Sequence, residues 1–412
     1  MNSTIATIMT AIRKLLILSV LILPFLQVAA QRTYKPNSVL ASGNWFRISV
    51  SGEGIYKLDL PFLASLGIQG NIPSSQLRLF GNGGGMLPES NSQVPIDDLV
   101  ENAIFVSDGG DGTLDGGDYV LFYAPGPHHW VKDSVNQRFS HRKNIYSDKA
   151  FYYLTIGGTG LRVGSQPGSL PASVTVNSFD ERYFHELDTV NFLASGKQWY
   201  GEEFSNAPGR TLSRSFSLPL DNLLQEQATL VTDVAARSVN VPSRFHISNN
   251  NQPVQQLDVN PISTALYDLF AQQTQKADNF IPNQGTAVVT VSYQQGSFNS
   301  QGWLNWFEFF ARRALAISGG KQLSFRDWRS VGMGNVEFIL SNADAKSQVW
   351  DVTDMFHPVR MNTTLSGNQL RFTNDAPRLR EYVCFSGQFL IPVQEGRVGN
   401  QNLHNTTEKD YI

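Results

Sequence analysis

The sequence predicts an all-β protein built of tandem antiparallel β-sandwich domains (Ig-like or jelly-roll-like) with a few short helices. Short apolar runs recur along the chain and many alternate in and out, as in Phe46-Arg47-Ile48-Ser49-Val50. Gly, Asn, Asp and Pro clusters separate them. Amphipathic helical stretches between them are rare, which argues against a parallel α/β sheet.

The N-terminus reads as an export signal. Arg13 and Lys14 precede an apolar stretch from Leu15 to Leu26, and Val28-Ala29-Ala30 offers small residues for cleavage before Gln31. The stretch is short for a membrane span, which needs about 20 residues. No later segment is apolar enough to cross a bilayer. Residues 1–30 are therefore read as a signal peptide, and the rest as exported.

Alternation then sets out the first domain, residues 31–165. Trp45–Val50 and Ile55–Leu58 are strands joined by a turn at Gly52 and Gly54. A short helix follows, with Asp59 as its cap, Pro61 in its first turn, Leu63 and Leu66 on one face and Gly67 at its end. Leu77–Phe80, Glu101–Ser107, Tyr119–Tyr123 and Ala150–Ile156 are further strands. The Gly-, Pro- and Ser-rich residues 157–171 read as a linker.

Residues 170–395 are expected to form β-sandwich domains, with strands at Thr211–Leu218, Ala228–Ala235, Arg244–Ile247, Ala287–Tyr293, Val336–Leu340, Gln369–Phe372 and Arg380–Phe385. Ser263–Gln275 fits a helix, with Leu266, Leu269 and Phe270 on one face, and a strand fits it nearly as well. Gly396–Thr407 is polar and turn-rich. It leads into Glu408–Ile412, which read as the entry to a buried strand. The expectation is that the chain is the front part of a longer protein, with residues 396–412 entering a further domain.

Composition excludes several classes. The formal charge is −3, and removing the two cations of the signal segment takes it to −5, so nucleic-acid binding is not expected. Apolar residues at 41% support real cores rather than a disordered tail. Cys384 is the single cysteine, so no intrachain disulfide forms. An exported chain without disulfides fits a bacterial source better than small stapled extracellular modules.

The strongest chemical feature is the acidic loop Asp108–Asp118. Asp108, Asp111, Asp115 and Asp118 repel one another unless solvated or bridged, which makes them candidate calcium ligands. Their spacing departs from the EF-hand rule, and a hairpin with Asp-Gly turns is the competing reading. No other cofactor is required. His128 and His129 lack further ligands at zinc spacing, and His141 stands too isolated to complete a site. Cys384 sits among apolar neighbours and reads as a buried, inert thiol. The cluster of His185, Glu186 and Asp188 could hold a carboxylate pair for acid–base work, with a solvated element as the default. In a strand over Trp303–Phe310, Trp303, Asn305, Phe307 and Phe309 would share one face, and Leu304, Trp306, Glu308 and Phe310 the other. Exposed there, Trp303 would stack on a sugar ring; buried, it would serve a core.

Several of these segments together resemble a known family. They are Phe46–Val50 with Gly54–Leu58, Asp115–Tyr123, Gly302-Trp303-Leu304 with Arg312-Arg313, Val349–Asp354, and Asn400–His404 running into Asp410-Tyr411-Ile412. In that order they are similar to the N-terminal, non-catalytic region of the PorU family, the sortase-like component of the type IX secretion system. The resemblance covers nearly the whole chain after the signal. It implies a gingipain-like (C25) cysteine peptidase that removes C-terminal sorting domains from exported cargo and joins cargo to anionic lipopolysaccharide. It further implies that the Cys–His dyad lies in a caspase-like domain starting near Asp410. Cys384 and His404 match no catalytic motif, so no catalytic residue carries over. The implied partners are outer-membrane secretion components and exported cargo proteins, at the bacterial cell surface. The alternative is a cell-surface module that binds carbohydrate or protein.

Overall fold

A computed structural model describes residues 34–406, other than 195, 197 and 284. The signal segment, and the strand expected at Glu408–Ile412, lie outside the described residues. The chain divides into two compact units. The smaller contributes the described residues 34–43, 95–99 and 399–406. Within it, two single-turn helices, Val39–Ala41 and Leu403–Asn405, are tied by side-chain acceptors. Val39 N–H donates to Asp98 Oδ2 at 2.7 Å, and Ser38 N–H to Asn402 Oδ1 at 2.7 Å.

The larger unit, residues 44–94 and 100–398, is nearly all β and contains three sandwiches. In the first, a five-stranded antiparallel sheet runs in the order Val393–Val398, Trp45–Val50, Ala150–Ile156, Leu77–Gly81, Glu101–Asn102. It packs on the sheet Gly54–Asp59, Tyr119–Ala124, Phe105–Ser107. The alternation read from the sequence explains the core. Ile48, Val50, Leu77, Leu79, Tyr152 and Leu154 face Leu58, Val120 and Phe122, all buried. The helix is Leu60–Ser65, capped by Asp59, whose carboxylate accepts from Phe62 N–H at 3.1 Å. Leu63 enters the core, and Gly67 ends the turn at φ +92°, a conformation that glycine takes without strain. The run Glu101–Ser107 splits between the two sheets. The Asn102 amide donates to the carbonyls of Gly81 and Val100, bending the chain from one layer to the other.

In the second sandwich, Ser178–Glu186, Gln301–Ala314, Ala228–Arg237 and Gln272–Phe280 form one sheet. Ser213–Ser217, Val288–Gln294, Ser243–Asn249 and Gln252–Val259 form the other. Leu230, Val234, Phe245, Val291, Leu304, Phe307 and Phe309 fill the space between them. The third pairs Leu323–Arg326, Glu381–Phe385 and Gln348–Asp351 against Asn335–Leu340 and Gln369–Asp375, around Phe325, Phe338, Phe372 and Tyr382. Gly164–Ser165, inside the stretch read as a linker, adds a short parallel pair to this sandwich beside Val359–Arg360.

Two expectations are corrected here. Residues 263–271 are not helical, and Gln272–Phe280 is a strand. The apolar stripe that favoured a helix has nothing to pack on: Leu266 and Tyr267 are 87% and 96% exposed. The faces of Gln301–Ala314 also differ from strict alternation. Opposite Ala228–Arg237, Asp233 pairs with Trp306 but Val234 pairs with Leu304, so Asn305 is an extra residue in a β-bulge. The bulge puts Leu304, Phe307 and Phe309 in the core and sends Trp303 to the other side. There it is 3% exposed and packs with Phe192, Tyr200 and Phe270. No sugar-stacking face is left on Trp303.

Candidate functional site

A two-stranded hairpin, His129–Asp133 with Arg138–Arg142, extends from the first sandwich. It carries His141 onto the outer face of the sheet that contains Ser178–Glu186 and Gln301–Ala314. His141 Nε2 lies 2.6 Å from Glu186 Oε2, and Nδ1 lies 2.7 Å from Glu308 Oε1. Both ring nitrogens thus face carboxylates, which accept only, so the ring is the imidazolium. It stacks on Phe184 at 4.3 Å between centroids, with Trp130 and Trp306 edge-on. Burial alone would lower the His141 pKa, but the bonds to Glu186 and Glu308 outweigh it and raise it. One step along, Lys143 Nζ pairs with Asp188 at 2.8 Å.

This corrects two sequence readings. His141 is not isolated, and Glu186 and Asp188 do not lie on a solvated element. They grip the hairpin, and His185 turns the other way, to Glu202 at 2.8 Å. The missed signal was Glu308. A carboxylate on the apolar strand Trp306-Phe307-Glu308-Phe309 needs a buried partner, and His141 supplies it.

Beside the hairpin the three sandwiches enclose an open cleft of about 640 Å³. The first sandwich lends Glu53, Tyr123 and the Pro125–Pro127 turn, and the hairpin lends Trp130 and Lys132. The second lends Arg182 and Phe184, and the third Asp354, Met355, Phe356, Arg378 and Glu381. Gly126, at φ +80°, allows the turn to pass against Gly52; a Cβ there would lie 2.8 Å from the Gly52 carbonyl carbon. Glu381 is the electrostatic hub. Arg182 Nη2 lies 2.7 Å from it, Lys132 Nζ 3.3 Å and Arg326 Nε 3.8 Å. Burial would raise the Glu381 carboxyl, but the charges of Arg182, Arg326 and Lys132 hold it down to about 2. The Arg182 guanidinium lies over the rings of Trp130 and Phe139.

Of the other candidates, His128 and His129 line this cleft, and the acidic loop and Cys384 do not. His129 Nε2 meets the Gly83 carbonyl at 3.0 Å, while His128 Nδ1 accepts from Asn144 N–H at 3.1 Å. The adjacent imidazoles therefore serve different loops. In the acidic loop, Asp108 accepts from Ser74 Oγ and Gly110 N–H, Asp111 from Thr113 N–H, and Asp118 from Asp115 N–H. Among the described residues no three carboxylates, imidazoles or thiols gather as a metal cage. Cys384 is fully buried in the third core, and burial pushes its thiol up to about 12.

No protein-family model and no curated protein matches the chain. Among solved structures it is similar to the crystal structure of dimeric latent PorU from Porphyromonas gingivalis. The TM-score is 0.75 at 22% identity, over 93% of this chain and 36% of that one. The insecticidal delta-endotoxin Cry8Ea1 from Bacillus thuringiensis is matched at a TM-score of 0.21 and 11% identity, over 61% of this chain and 55% of that one. That score carries no argument. The first match carries one of fold, and the chain has the PorU fold across a span equal to about a third of that protein's length.

Proposed function

We propose that this region is the scaffold and docking part of an exported type IX secretion sortase of the gingipain-like C25 kind. In this reading it works at the outer face of the outer membrane and holds secretion-system components and cargo while other residues do the cutting. The observation that carries it is the fold match over 93% of the chain. Two features support a holding rather than a cutting role. The single thiol is sealed in a core with a pKa near 12, the opposite of what a nucleophile needs. The cleft is shaped by three sandwiches and lined by apolar, cationic and anionic groups, as a recognition groove is. The sugar-binding alternative loses the residue that motivated it, because Trp303 is buried.

The test uses the purified chain with purified cargo sorting domains and secretion-system outer-membrane proteins from the same bacterium. Biolayer interferometry should show saturable binding to at least one of them, with the cargo recovered intact. Cleaved cargo would overturn the non-catalytic reading, and no binding to any of them would overturn the docking reading.

A further inference from the structure

Three loops close one end of the second sandwich. Residues 238–242 join Arg237 to Ser243, residues 260–271 join Val259 to Gln272, and residues 295–300 join Gln294 to Gln301. They are tied to one another. Asn240 N–H donates to the Ile262 carbonyl at 2.8 Å, and Ser238 Oγ lies 2.9 Å from Ser300 Oγ. Phe270 is braced from below by Phe192, at 5.0 Å between ring centroids. On this held frame the tips are apolar and bare. Leu266 and Tyr267 are joined by Phe298, 77% exposed, and by Leu269, with Val241 and Trp199 partly exposed beside them. The three loops carry one charged residue, Asp268, and its carboxylate is taken by the N–H groups of Ser263 and Leu269. Behind the tips the surface turns polar. Gln198 Nε2 donates to Gln273 Oε1 at 2.9 Å, and Arg237 Nη1 to the Phe270 carbonyl at 2.8 Å. The opposite end of the same sandwich differs. Its loops, residues 218–227, 250–251 and 281–287, carry Asp221 and Glu226, and Ile281 is the one large apolar side chain exposed there among the described residues.

We propose that this end of the second sandwich inserts its loop tips into a lipid surface. Exposed apolar side chains gathered at one place mark a protein or a membrane contact. Their form decides between the two. Protein anchors seat in shaped pockets behind a polar rim that fixes register. Leu266, Tyr267 and Phe298 instead stand clear of their own chain on separate tips, as wedges do. An acyl boundary needs neither shape nor charge from what enters it, and these loops offer one carboxylate that is already satisfied. Tyr267 and Trp199 carry a polar handle on an apolar ring, which suits the headgroup level, while Leu266, Leu269 and Phe298 suit the layer beneath. With so little charge on the loops, the attraction is apolar and independent of anionic lipid. The inference stands apart from the docking reading, because it uses neither the cleft nor any protein partner.

The test is co-flotation of the exported chain, from Gln31 onward, with phosphatidylcholine vesicles over a range of lipid concentrations. The wild type should float with the vesicles. The triple variant Leu266→Ser/Tyr267→Ser/Phe298→Ser should need about tenfold more lipid or worse, since each apolar side chain withdrawn weakens partitioning. Ile281→Ser, at the opposite end, should float like the wild type. All four positions are exposed, so the variants keep the fold, and matching thermal melts check this. Raising sodium chloride to about 0.5 M should leave flotation in place, because screening acts on charge and not on apolar contact. Sedimentation velocity without lipid should show the same species for wild type and triple variant. A wild type that stays with the soluble fraction overturns the inference. So does a triple variant that floats as well as the wild type, an equal loss in Ile281→Ser, or binding that salt abolishes. Self-association of the wild type that the triple variant abolishes also overturns it, and makes these tips an interface between copies of the chain. Cargo binding in the earlier assay is unaffected by any of these results, so the two readings fail separately.

Discussion

Glu308 holds His141 twice through one oxygen. Its Oε1 accepts from the His141 backbone N–H at 2.6 Å and from ring Nδ1 at 2.7 Å. Glu186 takes the other ring nitrogen, so the hairpin is fastened to the second sandwich by a buried cation between two carboxylates. His128 and Lys143 lie on the hairpin side, and Asp233, buried and with its own pKa raised, lies beyond Glu186. The folded pKa of His141 is raised, so its contribution is complete below the unfolded value of about 6.5 and is lost as pH climbs through the folded value. Urea midpoints should therefore fall between about pH 6 and pH 9 in the wild type, and this decline should be smaller in His141→Ala. That variant leaves two buried carboxylates unpaired and should lose about 3 kcal/mol at pH 6. A variant with the wild-type pH profile would show that the pair does not titrate as described.

Cys384 should resist chemistry in the native state. Iodoacetamide at pH 8, read by intact mass, should leave the folded chain unmodified and label it fully in denaturant. Rapid native labelling would mean that the third core opens readily.

The bulge at Asn305 is a second point of leverage. Asn305 Nδ2 donates to Asp233 Oδ1 at 2.9 Å, and Asp233 is 2% exposed. Asn305→Leu removes that donor and should cost about 1–3 kcal/mol in a denaturant melt. Deleting Asn305 should be far worse. It restores strict alternation and drives Trp303 towards the core, so near-UV circular dichroism should lose its native signal.

The acidic loop gives a test of metal dependence. Asp108, Asp111 and Asp118 already accept hydrogen bonds from Ser74 or from the loop's own backbone. Adding chelator should leave the melting temperature unchanged. A rise with millimolar calcium would instead establish Asp108, Asp111, Asp115 and Asp118 as a site that closes on the ion.

Much of the fold was legible because its signals are local. Trp45–Val50 and Ala150–Ile156 alternate within themselves, and the cap, Pro and Gly of Leu60–Ser65 lie within a few residues. Gln272–Phe280 was not legible. It is a sheet-edge strand, and its polar side chains leave no apolar period to read. The bulge escaped because its cause, Asp233, lies on another strand. The site escaped for the same reason. His141 meets Glu308 across 167 residues, and Arg182 meets Glu381 across 199. Spacing along the chain carries no trace of such meetings; only the unexplained carboxylate at Glu308 hinted that a partner existed.

Trp45 faces Val398 across an antiparallel pair, so the larger unit begins and ends on neighbouring strands. Tension between those two points would act at one end of the pair and part its hydrogen bonds in succession, as a zip opens. Trp45–Val50 against Val393–Val398 is thus the seam that yields first under load, while the cleft and the His141 clasp, lying inside the loop that this seam closes, are spared.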